Sequence, residues 1–288
     1  MDRARKHLAA AGRLVLLASA LSLAACAHTS KATKAHDSQA SRASENTAQL
    51  NQLGQENPAE PFWPYRVAEV FVARGQRDSA EVYLRDSLSR DPSYEPALAL
   101  HSKILYDAGR YEEGVQLLEK ARERKSGSLP VELATALALH YQALGKTAEA
   151  ESTAQSVEDG SVDWKRNGPA LVYLRLKGEH FLDSPAIAKK SLDADPSNAV
   201  NLNNYGIAQL YSGDPEGAKQ SFLKAHELDP KLPGALYNLA IVEHFYFFET
   251  QSAREWYREY RKLSPEDPDG LEAVLAAGDA EAPKEKTP

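Results

Sequence analysis

Large apolar side chains are spread unevenly along the chain, and the unevenness divides it into segments. Leu8 to Leu23 is almost wholly apolar or small, interrupted by Gly12, Arg13, Ser19 and Ser22. Ala27 to Asn57 holds hardly any large apolar residue besides Leu50 and Leu53. Beyond residue 58 apolar residues return in repeated helical patterns as far as Leu271 to Ala277. The first segment's stretch free of charge, Leu14 to Ala25, is 12 residues long. That is short of the roughly 20 a helix needs to cross a bilayer. With Arg3, Arg5 and Lys6 ahead of it, the segment 1–25 reads as an export signal. The second segment, 26–57, cannot bury enough surface to offset the entropy of ordering it. It predicts a flexible tether with a reach of roughly 30 Å, with room for a short helix near Thr47 to Leu53. Pro58, Pro61 and Pro64 mark the entry to the folded part, 58–278, and 279–288 reads as a disordered tail.

Inside the folded part the turn residues repeat. Asp91-Pro92, Asp195-Pro196 and Asp229-Pro230 recur, and Ser264-Pro265 follows. The last three prolines are separated by 34 and 35 residues. Gly75, Gly109, Gly145, Gly178 and Gly213 stand 34, 36, 33 and 35 residues apart. Two residue types with one period predict stacked helical hairpins. Glycines at Gly109, Gly145 and Gly213 suit the left-handed turn that ends a helix, and a proline stops each second helix.

That period resembles the tetratricopeptide repeat (TPR) family. The fifth copy matches best, with Leu202, Tyr205, Gly206, Ala218, Phe222, Ala225 and Pro230 in place. The sixth follows with Leu236, Leu239, Ala240, Ala253, Tyr257 and Pro265, plus one extra residue at the turn. The second has Gly114 where alanine is usual, and the fourth is weakest, with Ser184-Pro185 where its second helix should begin. The resemblance implies an all-α, right-handed superhelical solenoid of about six hairpins and a C-terminal capping helix. The copies would run about 62–94, 95–128, 131–163, 165–198, 199–232 and 233–267.

The lone cysteine, Cys26, excludes an internal disulfide and a multi-thiolate metal site. It closes the run Leu23-Ala24-Ala25-Cys26, which resembles the lipobox of bacterial lipoproteins. In that family the cysteine is acylated and becomes the first mature residue, and several acyl chains suffice for stable anchoring. Residue 27 is Ala rather than Asp, which by the enteric sorting rule implies the outer membrane, facing the periplasm. The whole chain has net charge −7. Removing residues 1–25 takes away Arg3, Arg5, Lys6, Arg13 and Asp2 and leaves 30 basic against 40 acidic side chains, a balance of −10. An acidic body argues against nucleic acid.

No phosphate-binding, dinucleotide, zinc-protease, CxxC or serine-elbow motif occurs. The histidines are scattered, and His101 falls on an apolar position and reads as core. The expectation is a chain that is not an enzyme, with no cofactor, no metal and no small-molecule substrate. Its partners would be proteins or peptides of the cell envelope, and the membrane through acylated Cys26. In a TPR array the first helices line a concave groove. The first-helix residues not needed for packing are Asn203, Asn204, Ile207, Leu210 and Tyr211 in the fifth copy. In the sixth they are Tyr237, Asn238, Ile241, His244 and Phe245. The resemblance implies that Asn204 and Asn238, at one repeat position, bind a peptide backbone, for which an amide offers donor and acceptor; packing against a neighbouring helix is the other reading. Basic residues of the carboxylate-clamp subclass are not at matching positions, so acidic C-terminal tails are not expected. The run His244 to Phe248 replaces the sixth glycine turn, and its aromatics cannot all face one side. The layout resembles pilotin-like and NlpI-like TPR lipoproteins, which implies an adaptor for a pilus, secretion or cell-wall complex; the alternative is a self-associating subunit.

Overall fold

The computed structural model describes residues 47–158, 162–178 and 181–277. The export segment, Cys26 and the final tail lie outside the described residues. Among the described residues there are fourteen α-helices and no strand. They fall into two compact units, divided along the chain at residue 163.

The N-terminal unit contains α1 (Thr47–Glu56), α2 (Phe62–Ala73), α3 (Arg77–Arg90), α4 (Glu95–Asp107), α5 (Tyr111–Arg124), α6 (Val131–Ala143) and α7 (Thr147–Glu158). α2/α3, α4/α5 and α6/α7 are packed hairpins, and α4 also packs on α6. Gly75, Gly109 and Gly145 each take φ of 72° at a hairpin turn. Ala68 and Ala80 are fully buried where α2 meets α3.

α1 corrects the tether's expected end: residues 47–56 are helical and packed. Leu50 is 1% exposed against Phe62, Trp63 and Val67. A helix this short is marginal alone, and Arg90 supplies what it lacks. Its Nη1 donates to the carbonyls of Gly54 (3.1 Å), Asn57 (3.3 Å) and Glu60 (3.2 Å), at and beyond the helix end. Asp86 holds the guanidinium from below at 3.1 and 2.9 Å. The carbonyls a helix end leaves unpaired are thus satisfied by a side chain more than thirty residues away.

Gly114 is explained by His140. A Cβ at residue 114 would lie 2.0 Å from the imidazole, so α5 approaches α6 only because the position has no side chain. The ring is fully buried between Tyr106 and Tyr111, and its Nε2 lies 3.0 Å from Ser102 Oγ. His101, 9% exposed, lies 3.6 Å from buried Glu81, which also accepts from Arg110 at 2.5 Å.

The C-terminal unit contains α8 (Trp164–Lys177), a 3-10 turn (Phe181–Asp183), α9 (Ser184–Ala194), α10 (Ala199–Tyr211), α11 (Pro215–Leu228), α12 (Pro233–Val242), a π-turn (Glu243–Phe247), α13 (Thr250–Leu263) and α14 (Leu271–Ala277). Ser184-Pro185 opens α9 rather than breaking it, since proline suits the first helical turn. Gly206 is required by packing: a Cβ there would sit 2.6 Å from the Phe222 ring. The extra residue of the sixth copy is absorbed by the π-turn, whose wider coil takes one residue more than an α-turn. It ends on Phe248, which adopts φ of 61° where the turns at Gly75, Gly109, Gly145 and Gly213 use glycine. α14 closes the unit by laying Leu271 and Leu275 on Leu236, Tyr237, Tyr257 and Tyr260.

Candidate interaction surface

The first helices of the C-terminal unit, α8, α10 and α12, lie side by side. Their asparagines do not face outward. Asn204, 2% exposed, donates from Nδ2 to the Pro169 carbonyl on α8 at 3.2 Å. Asn238, 1% exposed, donates to Asn203 Oδ1 on α10 at 2.9 Å. The thirty-four-residue spacing therefore marks one amide bond per helix interface, and the side chains are spent on neighbouring helices. Ile207, Leu210, Tyr237 and Ile241 are likewise buried. This corrects the expected groove: of its residues, Tyr211, His244 and Phe245 keep exposed surface, each half-buried. An amide that bridges helices contributes to their packing, since a hydrogen bond of this kind is worth about 0.5–1.5 kcal/mol.

Tyr211 belongs to a polar cluster. Tyr237 donates its hydroxyl to Asp269 Oδ2, in the loop before α14, at 3.1 Å. Burial raises the Tyr237 hydroxyl above its ordinary pKa, and the Asp269 charge adds to it. Burial also raises Tyr211, with Tyr246 and Asp269 contributing. Lys177, the last residue of α8, is pulled down by burial and held up by Asp269. At the turn, His244 Nδ1 lies 3.2 Å from Thr250 Oγ1, and burial followed by the nearby Arg254 charge lowers its pKa.

The aromatic run divides as its pattern requires. Phe245 packs towards the cap, and Tyr246 and Phe247 pack on the core of α10 and α11. Lys219 lies 4.7 Å over the Phe247 ring and pairs with buried Glu243 at 2.8 Å. Phe248 alone is left in solvent, 81% exposed. Trp256 is half-buried between the two clusters, edge-on to His226 at 5.5 Å.

Lys177, Asp269 and the π-turn escaped the sequence reading. The one-residue excess of the sixth copy signalled the last, but nothing local ties Lys177 to Asp269 across more than ninety residues. The Ser102–His140 contact is sealed in the core with both residues fully buried. Among the described residues no three His, Cys, Asp or Glu side chains gather as metal ligands.

No family model matches the chain. A photosystem I assembly protein, Ycf3 of Rippkaea orientalis, is 35% identical over 69 residues, 24% of this chain. The match spans 38% of that protein's length. Among solved structures, a chain of the APC/C hetero-tetramer Cut9–Hcn1 superposes with a TM-score of 0.66 at 15% identity, covering 81% of this chain and 46% of its own. A tetratricopeptide repeat protein of Parabacteroides merdae gives 0.58 at 14%, covering 77% and 87%. PilW, a type IV pilus biogenesis factor, gives 0.60 at 17%, covering 75% and 98%. Stacked hairpins of the expected period and these structural likenesses agree: the fold is the all-α fold of tetratricopeptide-repeat proteins.

Proposed function

We propose that the chain is a lipid-anchored scaffold of the bacterial cell envelope that holds other proteins on the first-helix face of its repeats. Cys26 carries the acyl chains, and the partners belong to an assembly such as a pilus, secretion or cell-wall complex. The observation that carries this reading is the build of the molecule: hairpin after hairpin of one period, with half-exposed aromatic and polar side chains on the first helices. Such arrays present extended surfaces that suit protein segments. The likeness to Ycf3, a photosystem I assembly protein, and to PilW, a type IV pilus biogenesis factor, supports an assembly role. The lipobox-like end of the export segment supports the anchor, and Ala27 supports the outer membrane.

The test is made on the full chain in its own cells, comparing wild type with Cys26→Ser. Mass spectrometry should find the wild-type cysteine acylated and the chain in the membrane fraction, cross-linked to a defined envelope protein. The serine variant should lose both the lipid and the membrane. An unmodified Cys26 in mature wild type defeats the anchor. Capture of copies of itself alone makes self-association the better account.

A further inference from the structure

The polar cluster of the C-terminal unit is built from separate elements and closes on one carboxylate. Tyr237 of α12 bonds Asp269 at 3.1 Å, and Tyr211 of α10 and Lys177 of α8 lie within its electrostatic reach. Lys177 is half-buried, yet it has no hydrogen-bond or ion-pair partner among the described residues. An ammonium drawn partly out of water without a close anion is unfavourable, so the cluster has spare capacity for negative charge. Asp269 itself is exposed. It stands between Pro268 and Gly270, and Gly270 turns the chain at φ of 65°. Asp267 supplies the bonds to the α14 backbone, at 2.8 and 3.1 Å, and Leu271 and Leu275 supply the packing of the cap.

We propose that Lys177, Tyr211 and Tyr237 form a subsite for a side-chain carboxylate of an acidic partner segment, and that Asp269 is its resident occupant, displaced when that segment docks. The chain's own Glu266-Asp267-Pro268-Asp269 is the example of what the subsite accepts. The occupant is a carboxylate in mid-chain, so an internal Asp or Glu is the ligand rather than a chain terminus. This inference rests on the reading of the first-helix face as the docking surface. A resident occupant lowers the apparent affinity of a competitor by the fraction of time it occupies the site.

The probe is an amidated fluorescent peptide copying residues 264–270, titrated against the full chain and followed by anisotropy. Asp269→Ala should bind it about fivefold more tightly than wild type. Lys177→Gln added to that variant should cancel the gain, and a probe with all three acidic residues replaced by amides should bind neither chain. Helical circular dichroism checks that each variant is folded. Equal affinity of wild type and Asp269→Ala, a gain that survives Lys177→Gln, or no binding to either chain overturns the proposal. A preference for an amide-substituted probe with a free C-terminal carboxylate also overturns it, by assigning the subsite to a chain terminus. The titration needs neither lipid nor cellular partner, so its failure is separate from loss of the anchor or of capture in cells.

Discussion

The two units use one hairpin plan and spend their polar residues differently. In the N-terminal unit the special residues keep helices together: Gly114 makes room for His140, Arg90 closes α1, and glycines make the turns. In the C-terminal unit asparagines bridge the first helices, and the last turn abandons glycine for an aromatic run. A left-handed turn made by Phe248, 81% exposed, gains nothing in packing for its backbone cost. The difference teaches where to look for function. Departures from the repeat that are buried and satisfied serve the fold, and departures that leave a ring or a cation short of partners point outward.

The contrast can be broken in four ways. The largest effect is expected from acid. Burial holds His140 down at about 4, below its ordinary 6.5. As pH falls the unfolded chain takes the proton first, so stability is full above pH 6.5 and drains away towards about 4, by about 3 kcal/mol. Burial of His101 acts in the same direction. Urea unfolding across that range should show the loss, and His140→Gln should flatten it; an equally steep loss in the variant would place the sensitivity elsewhere.

Next, Gly114→Ala should cost about 2–3 kcal/mol by overpacking. Because the clash is with one ring, His140→Ala in the same chain should restore part of that loss. Independent, additive costs in a double-mutant cycle would show the two are not matched. Third, Asn204→Ala should cost about 1–2 kcal/mol by leaving the Pro169 carbonyl without its side-chain donor. If thermal unfolding is unchanged while partner capture is lost, Asn204 faces a ligand after all. The smallest effect has the opposite sign. Phe248→Gly should stabilise the chain by up to about 1 kcal/mol, because glycine takes the left-handed turn without strain and no packed ring is removed. A gain in stability together with weaker partner capture would identify the ring as an anchor.

Much of the fold was legible in the sequence because glycine and proline punctuate it. They set the period, and Ser184-Pro185, in the copy that matches the repeat least, is a helix start. The end of the tether was misjudged because α1 is held by Arg90 and Trp63, and composition does not report such distant partners. The asparagines were misplaced for a more general reason. Spacing by one repeat is equally the signature of a surface ladder and of a bond between successive helices, and the bonds to Pro169 and Asn203 decide for the second. Tyr211 and His244 kept part of their surface, but Lys177 and Asp269 come together only through packing.

The most direct test of the scaffold account is site-specific photo-cross-linking in living cells. A photoreactive residue would replace Tyr211 or His244 on the first-helix side, and Leu228, 50% exposed at the end of the second helix α11, as control. The account predicts that Tyr211 and His244 positions capture one and the same envelope protein and that position 228 does not. Capture from position 228 alone, or equally from all three, would contradict it.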